Sequence, residues 1–217
     1  MIHAIIFDLD DTLIDFVERK KRIISDVVKA MIKSGIKQNF SSLYKEFYDF
    51  YWSTGIEDHL IFEKFLKTKY GKIDYSLLAK LIIVYRHADS KLLKPYPDVL
   101  ATLKYLKSKH IKIAILTDAP RLDAYLRVYE TGMDKHIDLI VTKDDTHALK
   151  PSPKGFKMII ESFKITPAEC LMVGDSGRDI IGAKNLGIKT CKANYANKSN
   201  IKADYEISNI RELKKII

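Results

Sequence analysis

The chain has 217 residues, enough for one ordinary domain with a smaller module, or for one large domain. Its hydrophobic share of 47% beside 30% charged residues is that of a soluble globular protein, and no apolar run approaches the roughly 18 residues needed to span a bilayer. The net charge of +9 could draw nucleic acid or anionic metabolites or simply keep the chain soluble; the lysines are scattered, with no block of five or six and no nucleic-acid motif, so nucleic acid is not expected as a partner.

The first element is the apolar run at residues 4–7, cut at once by Asp8, Asp10 and Asp11. It lacks the basic lead of an export signal, so it reads as a buried strand, and a cytoplasmic location with no membrane association is expected. From residue 17 to 89 the pattern turns helical. Ile23, Ile24, Val27, Val28, Met31 and Ile32 follow helical spacing and stop near Gly35. Leu43, Tyr44, Phe47, Tyr48 and Tyr51 repeat it, as do Leu60, Ile61, Phe65 and Tyr70, then Leu77, Leu78, Leu81, Ile82 and Tyr85. Four amphipathic helices joined by short turns predict a small bundle. Trp52 and its neighbouring tyrosines read first as packing of that bundle, with a substrate wall as the alternative.

After Lys94-Pro95-Tyr96-Pro97 the pattern alternates. A helix at 99–109 precedes the apolar run 111–116, and a helix at 121–130 precedes the run 139–141. Ser152 is the expected N-cap of a third helix, with Pro153 as its first residue. Thr166-Pro167-Ala168-Glu169 reads as a capping box before the run 170–173. A helix ending near Gly187, the run 189–193 and a last strand at 205–207 complete the chain. Strands alternating with helices imply a parallel sheet covered on both faces. The expected fold is therefore α/β, a three-layer Rossmann-like core of residues 1–14 and 90–217, interrupted after its first strand by an all-α insertion at 15–89. Cys170 and Cys191 lack metal-ligand spacing and read as reduced core thiols, with a disulfide as the alternative. The six histidines show no paired helical spacing that would make a metal site.

Open parallel sheets bind ligands beyond the carboxyl ends of their strands. Asp8, Asp10 and Thr12 follow the first strand, Thr117 and Asp118 the second, Lys150 comes after the third, and Gly174, Asp175 and Asp179 follow the fourth. A phosphate monoester is an anion, and a carboxylate attacking it is another, so such a site must supply positive charge where they meet. Oxygen ligands holding Mg²⁺ would do so, with the carboxylates of Asp8 and Asp175 as natural donors.

Four strings carry a resemblance. Asp8-Leu9-Asp10-Asp11-Thr12, Leu116-Thr117-Asp118, Lys150-Pro151-Ser152-Pro153 and Gly174-Asp175-Ser176-Gly177-Arg178-Asp179 occur in the order of the haloacid dehalogenase-like hydrolases. The sequence resembles the phosphatases of that superfamily along its whole length, since the helical insertion falls where they carry a cap domain. The resemblance implies Asp8 as nucleophile, forming an aspartyl phosphate, and Asp10 as the acid and base. It implies Lys150 as partner of Asp8 and of the phosphoryl group. Asp8, Thr117, Lys150 and the backbone N–H groups of Leu9 and Asp118 would bind phosphate. Asp8, the carbonyl of Asp10, Asp175 and Asp179 would serve Mg²⁺, Asp179 directly or through water. An acid at Asp10 argues for phosphorus chemistry, because a departing halide needs no proton. Asp10 is expected on an extended segment, pointing away from Asp8. Asp11 and the Asp118 side chain stay outside the catalytic set, and Asp179 retains a helix-capping alternative. Ser176 and Arg178 are expected only to shape the start of a helix. A phosphomutase of the same superfamily shares every motif, and a phosphate-storing receiver domain shares the strand-end residues but not the insertion. No partner chain is implied; a monomer is the default expectation.

Overall fold

The computed structural model describes residues 1–55, 58–195 and 200–217. The chain divides into two compact units, Met1–Phe16 with Leu93–Ile217, and Val17–Leu92.

The first unit is built on six parallel strands: β1 (Ala4–Phe7), β2 (Lys112–Leu116), β3 (Leu139–Val141), β4 (Cys170–Gly174), β5 (Lys189–Ala193) and β6 (Tyr205–Ile207), in the order β3-β2-β1-β4-β5-β6. Side chains of a strand alternate between faces, and here both faces are apolar. Ile5, Phe7, Ile113, Ile115, Leu171 and Val173 pack on one side with Val99, Leu103, Ala124 and Val128. Ala4, Ile6, Ala114, Leu116, Cys170 and Met172 pack on the other with Phe156, Ile159 and Ala183. Three layers result, as the continuous apolar runs predict. The helices are α5 (Val99–Ser108), α6 (Arg121–Glu130), the single-turn α7 (Lys143–Thr146), α8 (Lys154–Phe163) and α9 (Gly177–Lys184), following α1 to α4 of the second unit.

Local chemistry fixes the ends. The Thr166–Glu169 capping box forms with both reciprocal bonds. The start of α8 lies one residue later than expected: Pro153, not Ser152, takes the cap position. The Ser152 hydroxyl reaches only the Lys154 N–H, at 3.5 Å. Pro153 already has a helical backbone, and having no N–H it can precede Lys154 without leaving a donor unpaired. Gly155 lets α8 rest on β2, since a Cβ there would lie 2.3 Å from Cδ1 of Leu116. Both cysteines are free and buried, and burial foremost pushes the Cys170 thiol up to about 11 and Cys191 up to about 12.

The second unit consists of α1 (Phe16–Lys33, which begins one residue before the unit), α2 (Phe40–Thr54), α3 (Ile61–Tyr70) and α4 (Tyr75–Leu92). Its core joins Ile23, Val27, Met31, Leu43, Phe47, Phe65 and Leu81, with Trp52 partly buried against it in ring contact with Tyr48 and Tyr51. No helix among the described residues is long and apolar enough to cross a membrane.

Candidate active site

Sheet register places the site. Phe7, the last residue of β1, is level with Ile115 of β2 and Val173 of β4. Asp8 therefore leaves the sheet between two neighbours, its N–H donating to the carbonyl of Val173 at 2.9 Å. The strand order reverses between β1 and β4, where an open sheet leaves a crevice. Asp8 stands at one lip and Asp175, just past β4, at the other.

Lys150 arrives from the loop before α8, 6% exposed. Its ammonium donates to Asp8 Oδ1 at 2.5 Å, Asp179 Oδ1 at 2.7 Å and the carbonyl of Leu116 at 3.0 Å. All three N–H donors are thus engaged, which explains how a buried lysine is tolerated. Its backbone is held too, the Lys150 N–H donating to Asp118 Oδ1 at 2.9 Å, while Arg178 pairs with Asp118 Oδ2 at 2.9 Å.

Asp179 caps and participates at once. Oδ2 accepts from the Ser176 N–H at 3.1 Å and hydroxyl at 2.6 Å, closing a capping box at the start of α9, while Oδ1 takes Lys150. Gly174 permits this approach: a Cβ there would sit 2.5 Å from the Cβ and Cγ of Asp179. Thr12 donates weakly to Asp175 Oδ1 at 3.4 Å, and its carbonyl accepts from the Tyr195 hydroxyl at 2.7 Å.

Asp8, Asp175 and Asp179 are all buried, and each offers an oxygen within 4.8 Å of the others. Burial raises the Asp8 carboxyl well above its usual range; Lys150 opposes this, and Asp179 and Asp175 add to it. Burial by itself would lower Lys150, but Asp179, Asp8 and Asp118 outweigh it and raise the ammonium. Neighbouring carboxylates push both groups upward, adding to burial at Asp8 and overcoming it at Lys150. A buried all-oxygen donor set with surplus negative charge fits a hard divalent cation such as Mg²⁺.

The remaining expected residues fall as follows. Thr117, one step beyond β2 and 2% exposed, donates its N–H to the Val141 carbonyl and accepts the Ala119 N–H on its hydroxyl at 3.1 Å. Asp118 contributes its carboxylate as the support of Lys150 described above. Leu9 is fully buried, and its carbonyl accepts from Leu13 and Ile14. The segment carrying Asp10 is not extended as expected; β1 ends at Phe7 and the chain folds into a hydrogen-bonded loop. Asp11 enables this with a left-handed backbone, φ +58°, and its Oδ1 accepts the Phe16 N–H at 2.9 Å, so Asp11 serves the start of α1. Asp10 does point away from the cluster, onto Arg127, whose Nη1 lies 2.6 Å from its Oδ2. Its side chain is not among the clustered carboxylates. Sequence reasoning missed Arg127 altogether and gave Arg178 only a structural part. The available signal for Arg127 was a charged residue on an otherwise apolar helix face, between Ala124 and Val128.

A glyceraldehyde 3-phosphate phosphatase of Methanocaldococcus jannaschii is 29% identical over 225 residues, covering 100% of this chain and 97% of the relative. A pyrophosphatase PpaX of Bacillus mycoides is 31% identical over 227 residues, with 100% and 97% covered. The crystal structure of a HAD phosphatase from Thermococcus onnurineus superposes with a TM-score of 0.70 at 29% identity, over 99% of this chain and 97% of that one. The model of the haloacid dehalogenase-like hydrolases matches residues 5–193, and the chain belongs to that family.

Proposed function

We propose that the protein is a Mg²⁺-dependent phosphatase that hydrolyses small phosphorylated metabolites through an aspartyl phosphate on Asp8. The observation that carries this reading is the bond from Lys150 to both Asp8 and Asp179, which joins segments 142 residues apart around a buried carboxylate. A charge network of this kind is costly to bury, and its excess of carboxylates suits a site completed by a cation.

Asp8, Asp175 and Asp179 would hold the ion, with the Asp10 carbonyl as a further ligand. Bound Mg²⁺ supplies positive charge that neutralises the phosphoryl oxygens. Asp8 attacks phosphorus in line and the ester oxygen departs. Lys150 orients Asp8 and offsets charge on the transferred group. The hydroxyl of Thr117 and the backbone N–H groups of Leu9 and Asp118 complete the phosphate cradle. Asp10 gives its proton to the leaving oxygen, then takes one from the water that hydrolyses the acyl phosphate. The helical unit is inserted after β1, at the point of the chain where the resemblance puts a cap domain. The names of the two relatives direct the search to triose phosphates and pyrophosphate. The test is phosphate release from a panel including glyceraldehyde 3-phosphate, glycerol 3-phosphate, 2-phosphoglycolate, sugar phosphates, nucleotides and inorganic pyrophosphate, with Mg²⁺ and with EDTA. Mg²⁺-dependent release from a small phosphate ester is expected; no release from any member would overturn the assignment.

A further inference from the structure

Arg127 is 4% exposed, and burying a guanidinium costs several kcal/mol unless it is paired. Its place is fixed from three sides. Ala124 and Val128, three residues before it and one after, are fully buried in the core beside the sheet, so α6 cannot rotate to release it. Its Cζ lies 4.9 Å from the centroid of the Phe16 ring, in cation–π distance. Its Nη1 lies 2.6 Å from Asp10 Oδ2.

Asp10 is constrained equally from its own side. Leu13 and Ile14 donate to the Leu9 carbonyl, Asp11 donates to the Ile14 carbonyl, and Asp10 forms a bridge with Ile14. With the backbone locked in this loop and Oδ2 taken by Arg127, little rotation of the carboxylate remains. Oδ1 is buried and has no hydrogen-bond partner among the described residues. Leaving a buried polar atom without a partner is costly, and such an atom calls for an explanation, a ligand that supplies the missing bond among them.

The geometry points to Arg127 as the positioning residue of the reaction: it holds Oδ2 of Asp10 so that Oδ1 is the oxygen that exchanges the proton with leaving group and water. As the P–O ester bond breaks, the proton on Oδ1 passes to the departing oxygen; as water attacks the aspartyl phosphate, Oδ1 receives a proton from it. Arg127 touches neither substrate nor phosphorus and acts through Asp10. This inference rests on the phosphatase reading above and adds a residue that the four motifs do not contain.

A purely structural Arg127, clamping Phe16 at the start of α1, would affect all substrates alike. A positioning Arg127 would not, because p-nitrophenolate leaves without protonation and an alkoxide needs it. The experiment compares kcat/KM for p-nitrophenyl phosphate with that for the alkyl phosphate turned over fastest in the panel, in wild type, Asp10→Asn, Arg127→Gln and Arg127→Lys. Both values report through cleavage of the ester bond. Asp10→Asn should lose on the order of 10²–10⁴-fold on the alkyl ester and far less on the aryl ester. Arg127→Gln should follow the same pattern with a loss of about 10²-fold on the alkyl ester, the scale of an ångström of misplacement. Arg127→Lys, which keeps the cation, should lie between. If Arg127→Gln does not fold by circular dichroism, Arg127→Lys is decisive: a lowered alkyl-to-aryl ratio supports the inference, and the wild-type ratio overturns it. With Asp10→Asn selective, equal losses on both esters for Arg127→Gln, or no loss on either, overturn the inference alone. An Asp10→Asn enzyme that does not distinguish the esters overturns the acid–base role of Asp10 and the inference with it.

Discussion

Both units bury charge, but they do so differently. In the helical unit, Lys20 donates to the Tyr85 hydroxyl at 2.5 Å and to Asp89 at 3.3 Å, and Arg19 faces the same Asp89 at 3.7 Å. These groups come from two helices, and Tyr85 and Asp89 lie four residues apart on one of them. Such a network serves helix packing, and its carboxylate remains 32% exposed. In the α/β unit the buried charges come from the ends of β1 and β4, the first turn of α9 and the loop before α8, and acids outnumber the lysine at their centre. Packing does not require that convergence. The comparison separates charge buried to hold helices together from charge that loops at strand ends gather into one acid-rich cluster.

The sharpest way to break the comparison is at Asp8. Asp8→Asn should reduce phosphate release to the assay background while leaving urea stability unchanged or raised, because it removes one negative charge from a cluster with too many. A folded variant with wild-type turnover would remove Asp8 as nucleophile. Next in size is the lysine pair. Lys150→Met leaves buried carboxylates uncompensated and should cost about 3–5 kcal/mol in urea denaturation. Lys20→Met removes charged hydrogen bonds to a partly exposed acid and should cost less, about 1.5–3 kcal/mol. Equal costs would erase the distinction between the two networks. Smaller again is the response to metal. Mg²⁺ at a hundred times its dissociation constant should stabilise the protein by about 2.7 kcal/mol, and Asp175→Asn should abolish the gain. A gain of equal size in that variant would place the ion elsewhere.

The smallest effect lies away from the site. Bonds from the Thr166 hydroxyl and N–H, with a contact to His3, lower the Glu169 carboxyl from 4.5 to about 2. A depressed carboxylate contributes above its unfolded value and loses that contribution as pH falls through its folded value. Glu169→Gln should therefore flatten the stability profile between about pH 4.5 and pH 2 and lower it slightly near neutrality, where the contribution is fully present, as followed by thermal melts across pH.

Much of this was legible in the chain. Fully buried parallel strands must be continuous apolar runs, so residues 4–7 and 170–173 announced themselves. The convergence of Asp8, Lys150 and Asp175 was legible because the carboxyl ends of parallel strands lie along one edge of the sheet. What escaped was whatever depends on side-chain direction. Arg127 is one of 37 lysines and arginines, and only its place between Ala124 and Val128 sets it apart. The left-handed backbone at Asp11, which turns the Asp10 segment into a loop, has no glycine to mark it. Asp179 was weighed as a cap against a site residue, yet its two oxygens do one task each. The start of α8 was off by one because Ser152 and Pro153 are both favourable at a helix start.

The most direct test is to find the phosphoryl group on the enzyme. Asp10→Asn with p-nitrophenyl phosphate and Mg²⁺ should form the acyl phosphate readily, since that leaving group needs no acid, and hydrolyse it slowly for want of a base. Acid quench within one turnover and peptide mass spectrometry should find one phosphoryl group on Asp8 and none in the Asp8→Asn, Asp10→Asn double variant. Phosphate release with no modified Asp8, or a phosphoryl group on another residue, would contradict the account.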